Sequence, residues 1–288
     1  VTVEEQLRTY ALEVDARLDA LLPSEQQLPH ELAAAMRYAC LGPGKRLRPA
    51  LCLASCEAVE GDRVQAMDAS CALEMVHSFS LIHDDLPALD NDDLRRGRPT
   101  CHVAFGEAIA ILAGDGLFSL AFETLAALGG SVRCVQILSN ATGLGGLVAG
   151  EAADIVSEGK PVDLELLEFI HRKKTGSLVR AACEIGAVLG GGDDQSIRSL
   201  REYGECVGLA FQIADDILDE TSTREQLGKS AGADRQRQKA TYPRLMGIEA
   251  SRARAAELSA AAVARLEDLP GPVEFLTQLA QFAVHRTK

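Results

Sequence analysis

Hydrophobic residues recur along this chain at three- and four-residue steps, the spacing of one buried helical stripe. Val3, Leu7, Tyr10, Val14 and Leu18 set the pattern and predict a first helix over 3–21. Pro23 and Pro29 bracket a loop, and residues 30–41 read as a second helix that stops at Gly42-Pro43-Gly44. A helix over about 46–59 follows, then Gly61-Asp62, then a long helical run over about 64–86. Residues 87–100 carry Pro87, Gly97 and Pro99 among polar neighbours and read as a loop or broken turn. Further helices are predicted over 104–128, 131–150, 162–171, 176–190 and 194–220, set apart by Gly129-Gly130, Gly159-Lys160-Pro161 and Gly190-Gly191-Gly192. Residues 221–240 are polar and glycine-containing, hence loop-like, and the last helices fall at about 243–268 and 272–286. Strand-like alternation is hard to find, and no repeat, compositional step or linker divides the chain. The expectation is one all-α domain over 1–288.

Composition sharpens this picture in three places. Aromatic residues are only 4%, tryptophan is absent, and Ala and Leu dominate, which favours helices over strands. Lys and Arg number 29 against 42 Asp and Glu, a formal charge of -13. Such a balance argues against a protein that coats nucleic acid or binds membranes through a basic surface. It leaves room for a small anionic ligand, because a metal ion can bridge carboxylates to phosphates. No cationic head precedes an apolar signal core, and no apolar run of about twenty residues is expected to cross a membrane. The eight cysteines are scattered without a C-x-x-C pair and read as small, reduced, buried hydrophobes. The six histidines are too widely spread for a zinc site. A soluble, cytoplasmic protein is expected.

Two acidic clusters carry the candidate chemistry. In Phe211-Gln212-Ile213-Ala214-Asp215-Asp216-Ile217-Leu218-Asp219, Asp215 and Asp219 lie one turn apart on one helical stripe, with Gln212 a near-turn earlier. Like charges at that spacing repel, so the pattern suggests a compensating cation. Hard oxygen ligands of this kind suit magnesium. A solvated acidic face is the competing reading, opposed by the apolar residues around the acids. In Asp84-Asp85-Leu86-Pro87-Ala88-Leu89-Asp90-Asn91-Asp92-Asp93, Asp84 and Asp90 would not share a face of a regular helix. Pro87 disfavours continuation, so the helix should end or bend just after Asp85 and a loop should bring Asp90 back. His77 is seven residues before Asp84 and nearly aligned with it, facing the same space or serving as a hydrogen-bonded structural residue. Basic residues are distributed over Gly44-Lys45-Arg46-Leu47-Arg48, Arg95-Arg96, Lys173-Lys174-Thr175, Lys229 and Lys239. Separated basic patches beside acidic clusters imply a polyanion held through carboxylate–magnesium–phosphate bridges. Nucleotide loops, nucleophile elbows and H-E-x-x-H motifs are absent from the sequence.

In order along the chain, Gly44-Lys45-Arg46-Leu47-Arg48-Pro49, Ser80-Leu81-Ile82-His83-Asp84-Asp85-Leu86-Pro87, Lys174-Thr175-Gly176, Phe211-Gln212, Asp215-Asp216-x-x-Asp219 and Lys229 through Pro243 resemble the trans-prenyltransferases. The similarity spans almost the whole chain and is nearest to the bacterial farnesyl diphosphate synthase type. It implies the isoprenoid synthase fold, a large helical bundle around a deep central cavity, in a homodimer. It implies three magnesium ions held through Asp84, Asp90 and Asp215, with Asp85, Asp216 and Asp219 contributing directly or through hydrogen bonds. An allylic diphosphate would meet Arg95, Lys174, Gln212, Lys229 and Lys239, with Thr175 nearby. Lys174, Thr175, Gln212 and Lys229 are the expected catalytic contacts. Isopentenyl diphosphate would lie against Gly44, Lys45, Arg48, His77 and Arg96. Asn91 departs mildly from relatives that carry Asp there. Ser80 and Phe79, four and five before Asp84, would set product length, with the Phe79 ring as the floor for a fifteen-carbon tail. The expected product is farnesyl diphosphate. Geranyl or geranylgeranyl diphosphate is the alternative, and an inactive partner subunit or a terpene cyclase are the more distant rivals.

Overall fold

The computed structural model describes residues 2–128, 132–221 and 240–285. Its first helix, α1 (Val3–Leu21), starts where a capping box supplies partners for otherwise orphaned amides. The Thr2 hydroxyl accepts from the Glu5 amide at 3.2 Å, while the Glu5 carboxylate accepts from the Thr2 amide at 2.9 Å. The stripe Val3, Leu7, Tyr10, Val14 and Leu18 is buried, as its spacing predicts.

The chain continues through α2 (His30–Cys40), α3 (Leu47–Glu57), a 3₁₀ turn at Arg63–Ala66 and α4 (Met67–Asp84). A two-residue antiparallel ribbon follows, β1 (Leu94–Arg95) against β2 (Arg98–Pro99). Then come α5 (Cys101–Phe105), α6 (Glu107–Ala127), α7 (Val132–Thr142), α8 (Leu147–Ser157) and α9 (Leu164–His171). A π-helical turn at Arg172–Gly176 leads into α10 (Ser177–Leu189), α11 (Asp194–Thr221), α12 (Tyr242–Met246), α13 (Ile248–Ala264) and α14 (Glu274–His285). The result is a multi-helix, all-α bundle. Helix α4 packs on α3 and α6, α10 packs on α3 and α11, and α11 packs on α13. A continuous apolar cluster runs from Val3 to Ala280.

Four sequence expectations need correction. The helix expected over 131–150 is two, α7 and α8, because Gly143, Gly145 and Gly146 fall within four residues and weaken any helix there. The helix expected over 243–268 is broken at Gly247, whose φ of 81° lies outside helical geometry. Residues 104–128 form parts of α5 and α6, separated at Gly106. The absence of a long apolar span is also overturned, since α6 is long and apolar enough to cross a membrane. It instead packs on α2, α4 and α5 within the bundle, with Ile111 and Leu112 left exposed. Most of the loop expected over 221–240 lies outside the described residues.

A second, smaller cluster positions the chemistry. Leu167, Leu209, Ala210, Ile213, Tyr242, Ala255 and Leu258 pack together beneath the second acidic motif. Burying a Leu or Ile side chain stabilises the fold by roughly 1.5–3 kcal/mol. Ile213 and Asp215 are two residues apart, about 200° around a helix. Burying Ile213 therefore turns Asp215 to the opposite side of α11.

Candidate active site

Helix α4 delivers the first acidic motif at its C-terminus. The helix ends at Asp84, and the chain folds back so that the Asp90 amide donates to the Asp84 carbonyl at 2.8 Å. The Asp92 amide likewise donates to the Asp85 carbonyl at 3.2 Å, and Asn91 takes a positive φ of 51°. This is the loop return that Pro87 and the six-residue spacing predict. Asp85 turns inward, is 3% exposed and accepts from Arg95 Nε at 2.7 and 2.9 Å. Arg95 Nη2 adds a contact at 2.6 Å, so this arginine and this aspartate neutralise one another. Asp84 stays half-buried beside the site. Burial, with the charges of Glu151 and Asp90, pushes its carboxyl up to about 7 against the pull of Lys174 and Arg95.

A basic pocket forms next to this wall. Arg46 is 3% exposed in a left-handed conformation, and its guanidinium donates to Asp15 at 2.6 Å, Glu74 at 2.9 Å and the Gly42 carbonyl at 2.8 Å. It serves as a brace for the loop rather than an open cation. Gly44 lies between guanidiniums: a Cβ there would come within 2.7 Å of Arg96 Nη1 and 2.9 Å of Arg46 Nη1. Burial holds His77 well below the usual histidine range, and the neighbouring Arg48 and Arg96 add to the effect. Arg48 Nε is buried without a hydrogen-bond partner. Lys45 is exposed at the mouth of the loop. The ribbon that carries Arg95 and Arg96 is pinned to α2, where Tyr38 donates to the Pro99 carbonyl at 2.8 Å and lies under Arg98 at 4.1 Å.

Lys174 lies on the π turn, which α8 approaches at backbone distance. A Cβ on Gly150 would come within 2.2 Å of the Lys174 amide nitrogen, so glycine is required for this packing. Lys174 Nζ meets Glu151 at 2.6 Å and Asp154 at 2.8 Å. Burial works against its charge, but the two carboxylates prevail and hold its pKa above the usual lysine value. Glu151 and Asp154 were missed by sequence reasoning. Their i, i+3 spacing is the same signal of repelling acids that marks Asp215 and Asp219.

The second acidic motif stands within α11. Asp215 and Asp219 are half-buried, whereas Asp216 is 5% exposed. Asp216 accepts from the Tyr242 amide at 3.0 Å, His171 Nε2 at 2.9 Å and Gln212 Nε2 at 3.4 Å. Thr175 donates to Gln212 Oε1 at 2.9 Å, bringing these two expected site residues together. Lys229 and Lys239 lie outside the described residues.

Ser80 and Phe79 separate clearly. Ser80 lies beneath Asp84 on its stripe, 7% exposed, with its hydroxyl donating to the His77 carbonyl at 2.9 Å. Phe79 shares a stripe with His83 and faces α6. Its ring meets His83 at 4.9 Å and Phe118 at 5.0 Å, both edge-on.

Residues 29–270 match the polyprenyl synthetase family. The chain belongs to that family. A relative from Arabidopsis thaliana, the chloroplastic heterodimeric geranylgeranyl pyrophosphate synthase large subunit 1, is 51% identical over 257 residues, covering 85% of this chain and 69% of its own. The chloroplastic geranylgeranyl pyrophosphate synthase 12 of the same plant is 48% identical, covering 88% and 72%. Among solved structures, the geranylgeranyl pyrophosphate synthetase of Pyrococcus horikoshii superposes with a TM-score of 0.91 at 31% identity, covering 99% and 98%. An FPP/GFPP synthase of Zymomonas mobilis, in an apo structure, gives 0.87 at 36% identity, covering 98% of each chain. The isoprenoid synthase fold and the prenyltransferase activity of this polyprenyl synthetase follow.

These relatives correct two expectations. Farnesyl diphosphate as the product gives way, since the similar proteins point to geranylgeranyl diphosphate synthesis. The Phe79 ring, expected to act as the floor, packs against Phe118 of α6. The cytoplasmic expectation gives way to relatives that are chloroplastic. Buried reduced cysteines distinguish a reducing environment from an oxidising one, not one reducing compartment from another.

Family membership implies magnesium-dependent catalysis, and the residues fit it. Burial, and after it the charges of Glu151 and Asp90, lifts Asp84 to about 7, so a bound cation would stabilise its charged form. Among the described residues, no three His, Cys, Asp or Glu side chains form a closed metal cage. That suits magnesium, which commonly takes one or two carboxylates and completes its shell with water and substrate phosphate.

Proposed function

We propose that this polyprenyl synthetase condenses isopentenyl diphosphate with an allylic diphosphate and extends the product to geranylgeranyl diphosphate. The supporting observation is an acidic wall and a basic pocket set side by side. Arg95 is the shared neighbour, close enough to influence both Asp84 and His77. Asp84, Asp90, Asp215 and Asp219 are the residues proposed to hold three magnesium ions. Asp85 and Asp216 orient their neighbours through the bonds described above. Magnesium, when bound, withdraws charge from the departing diphosphate. Lys174, Gln212 and Thr175, with Lys229 and Lys239, hold the allylic diphosphate. Gly44, Lys45, Arg48, His77 and Arg96 hold isopentenyl diphosphate, with the unpartnered Arg48 Nε offering a donor to the anion.

The allylic C–O bond breaks, and its electron pair leaves with diphosphate. The isopentenyl double bond attacks the allylic cation, a C–C bond forms, and the departing diphosphate takes the proton. Fixed cationic groups stabilise the leaving charge without reorganising. Water exclusion protects the cation. The small Ser80 stands one turn before Asp84 on its stripe, where a bulkier side chain would be expected to shorten the product. Partnering with a second copy of the chain is supported by Ile111 and Leu112, which expose 43% and 52% of their surface on the apolar α6.

Sizing dephosphorylated products from isopentenyl and dimethylallyl diphosphate tests the reading. Wild type is expected to release a twenty-carbon product, while Ser80→Phe stops at fifteen carbons or fewer. A wild-type chain that stops at ten or fifteen carbons overturns the length assignment. Light scattering on the same preparation should give twice the chain mass.

A further inference from the structure

His171 belongs to none of the expected site residues, yet it closes a ring of hydrogen bonds beneath the site. Its Nε2 faces Asp216 Oδ2 at 2.9 Å, and because a carboxylate only accepts, Nε2 is the donor. Asp216 Oδ1 accepts from Gln212 Nε2 at 3.4 Å, and Gln212 Oε1 accepts from Thr175 Oγ1 at 2.9 Å. Thr175 is four residues after His171, so the backbone of the π turn completes the circuit. The ring therefore spans the turn that carries Lys174 and the turn of α11 that carries Asp215.

The apolar cluster already joins α9, α11 and Tyr242, so packing alone does not call for a buried carboxylate. Burying an ionised group is costly unless its geometry is fully satisfied, and such groups are kept where they specify an arrangement. Here the Gln212 bond is long, which leaves His171 and the Tyr242 amide as the strong partners of Asp216. The His171 ring is 8% exposed and stacks on Tyr242 with centroids 5.7 Å apart, fixing the direction of its donor. A π turn holds one more residue than an α turn and persists where its neighbours hold it. Relaxation to α geometry would shift the register by one residue, about 100° of rotation. Lys174 would then leave its place beside Glu151 and Asp154.

We propose that His171 is a positioning residue of the diphosphate site, fixing through Asp216 the π turn of Lys174 against the α11 turn of Asp215. This inference rests on the reading of the site as one for diphosphates. It assigns His171 no contact with substrate and no proton transfer.

Two substitutions separate positioning from packing. His171→Phe keeps the ring and its stacking but removes the donor, while His171→Gln places an amide N–H near the position of Nε2. Titration calorimetry with inorganic pyrophosphate and magnesium is expected to show H171F weakened by about tenfold or more, the range seen when a group orienting a metal ligand is removed. H171Q should recover most of that loss. Steady-state kinetics should show a lower kcat and a raised KM for the allylic substrate, with the KM for isopentenyl diphosphate within about twofold of wild type. If H171F does not fold, His171→Asn, whose amide is too short to reach Asp216, replaces it and is expected to behave as the donor-less variant. Equal pyrophosphate affinity in wild type and the donor-less variant overturns the inference alone. Equal losses in H171Q and the donor-less variant, tracking a common fall in thermal midpoint, also overturn it. A wild type that binds no magnesium pyrophosphate overturns the diphosphate reading and this inference with it.

Discussion

In the first acidic segment the chain leaves α4 at Asp84 and loops back until the Asp90 amide reaches the Asp84 carbonyl. In the second, Asp215, Asp216 and Asp219 all stand within the unbroken α11. One wall is made by terminating a helix and the other by continuing one, yet the roles divide alike. Asp85 is consumed by Arg95, and Asp216 by His171 and the Tyr242 amide. The middle aspartate of each motif thus faces the protein, leaving its neighbours for the site. The partners differ in kind. Asp85 pairs with a single guanidinium, whereas Asp216 gathers donors from three separate positions.

The largest expected effect comes from removing the carboxylates assigned to the site. Asp84→Ala and Asp215→Ala should each lower kcat by about 10³-fold with the fold intact, the upper end of the usual loss of a single charge-stabilising group. The relevant measurement is turnover at saturating substrates and magnesium, with circular dichroism as the check on folding. Near-wild-type turnover in either variant would break the comparison at its functional end.

The inward-facing pair should respond through stability. Asp85→Asn leaves the Arg95 guanidinium without its charge partner and is expected to lose about 3 kcal/mol, the low end for a broken buried pair. Asp216→Asn leaves its three donors less well satisfied and should lose about 1–3 kcal/mol. Urea midpoints at pH 7 give the order. If Asp216→Asn were the more damaging, the contrast between a single ion pair and a shared set of donors would be wrong.

The sequence was most informative where one residue type forces one geometry. Pro87 and the spacing of Asp84 and Asp90 foretold the helix end and the returning loop, and the α1 stripe appeared with the predicted ends. It was least informative where function depends on contacts between distant segments. Nothing local marks Arg95 as the partner of Asp85, or His171 as the partner of Asp216 across 45 residues. Glu151 and Asp154 escaped for a different reason. The helix was expected to end at residue 150, just before them, whereas α8 runs from Leu147 to Ser157 and carries both. Phe79 shows the limit of counting residues alone. An offset of five from Asp84 names a position on α4, but only the packing of its ring on Phe118 shows which way it faces.

The smallest expected effect is a pH dependence at the first wall. The Asp84 carboxyl, pushed up to about 7 chiefly by burial, has an ordinary value of 3.8. The folded chain therefore holds more protons than the unfolded chain between these values, and stability falls as pH rises through that window. The favourable contribution is complete below the unfolded value and gone above about 7. Asp84→Asn cannot ionise, so it should match wild type near pH 4 and become progressively more stable toward pH 8. Partial exposure screens the penalty, which at about 1–2 kcal/mol corresponds to roughly 2–6 °C in thermal midpoint. Scans in a chelator at pH 5 and pH 8 should show the difference widening with pH. Magnesium with pyrophosphate should then reverse it, raising the midpoint of wild type at pH 8 well above that of Asp84→Asn. A difference that stayed constant across pH would mean that Asp84 ionises as an ordinary surface carboxylate, and the burial of the first wall would lose its electrostatic consequence.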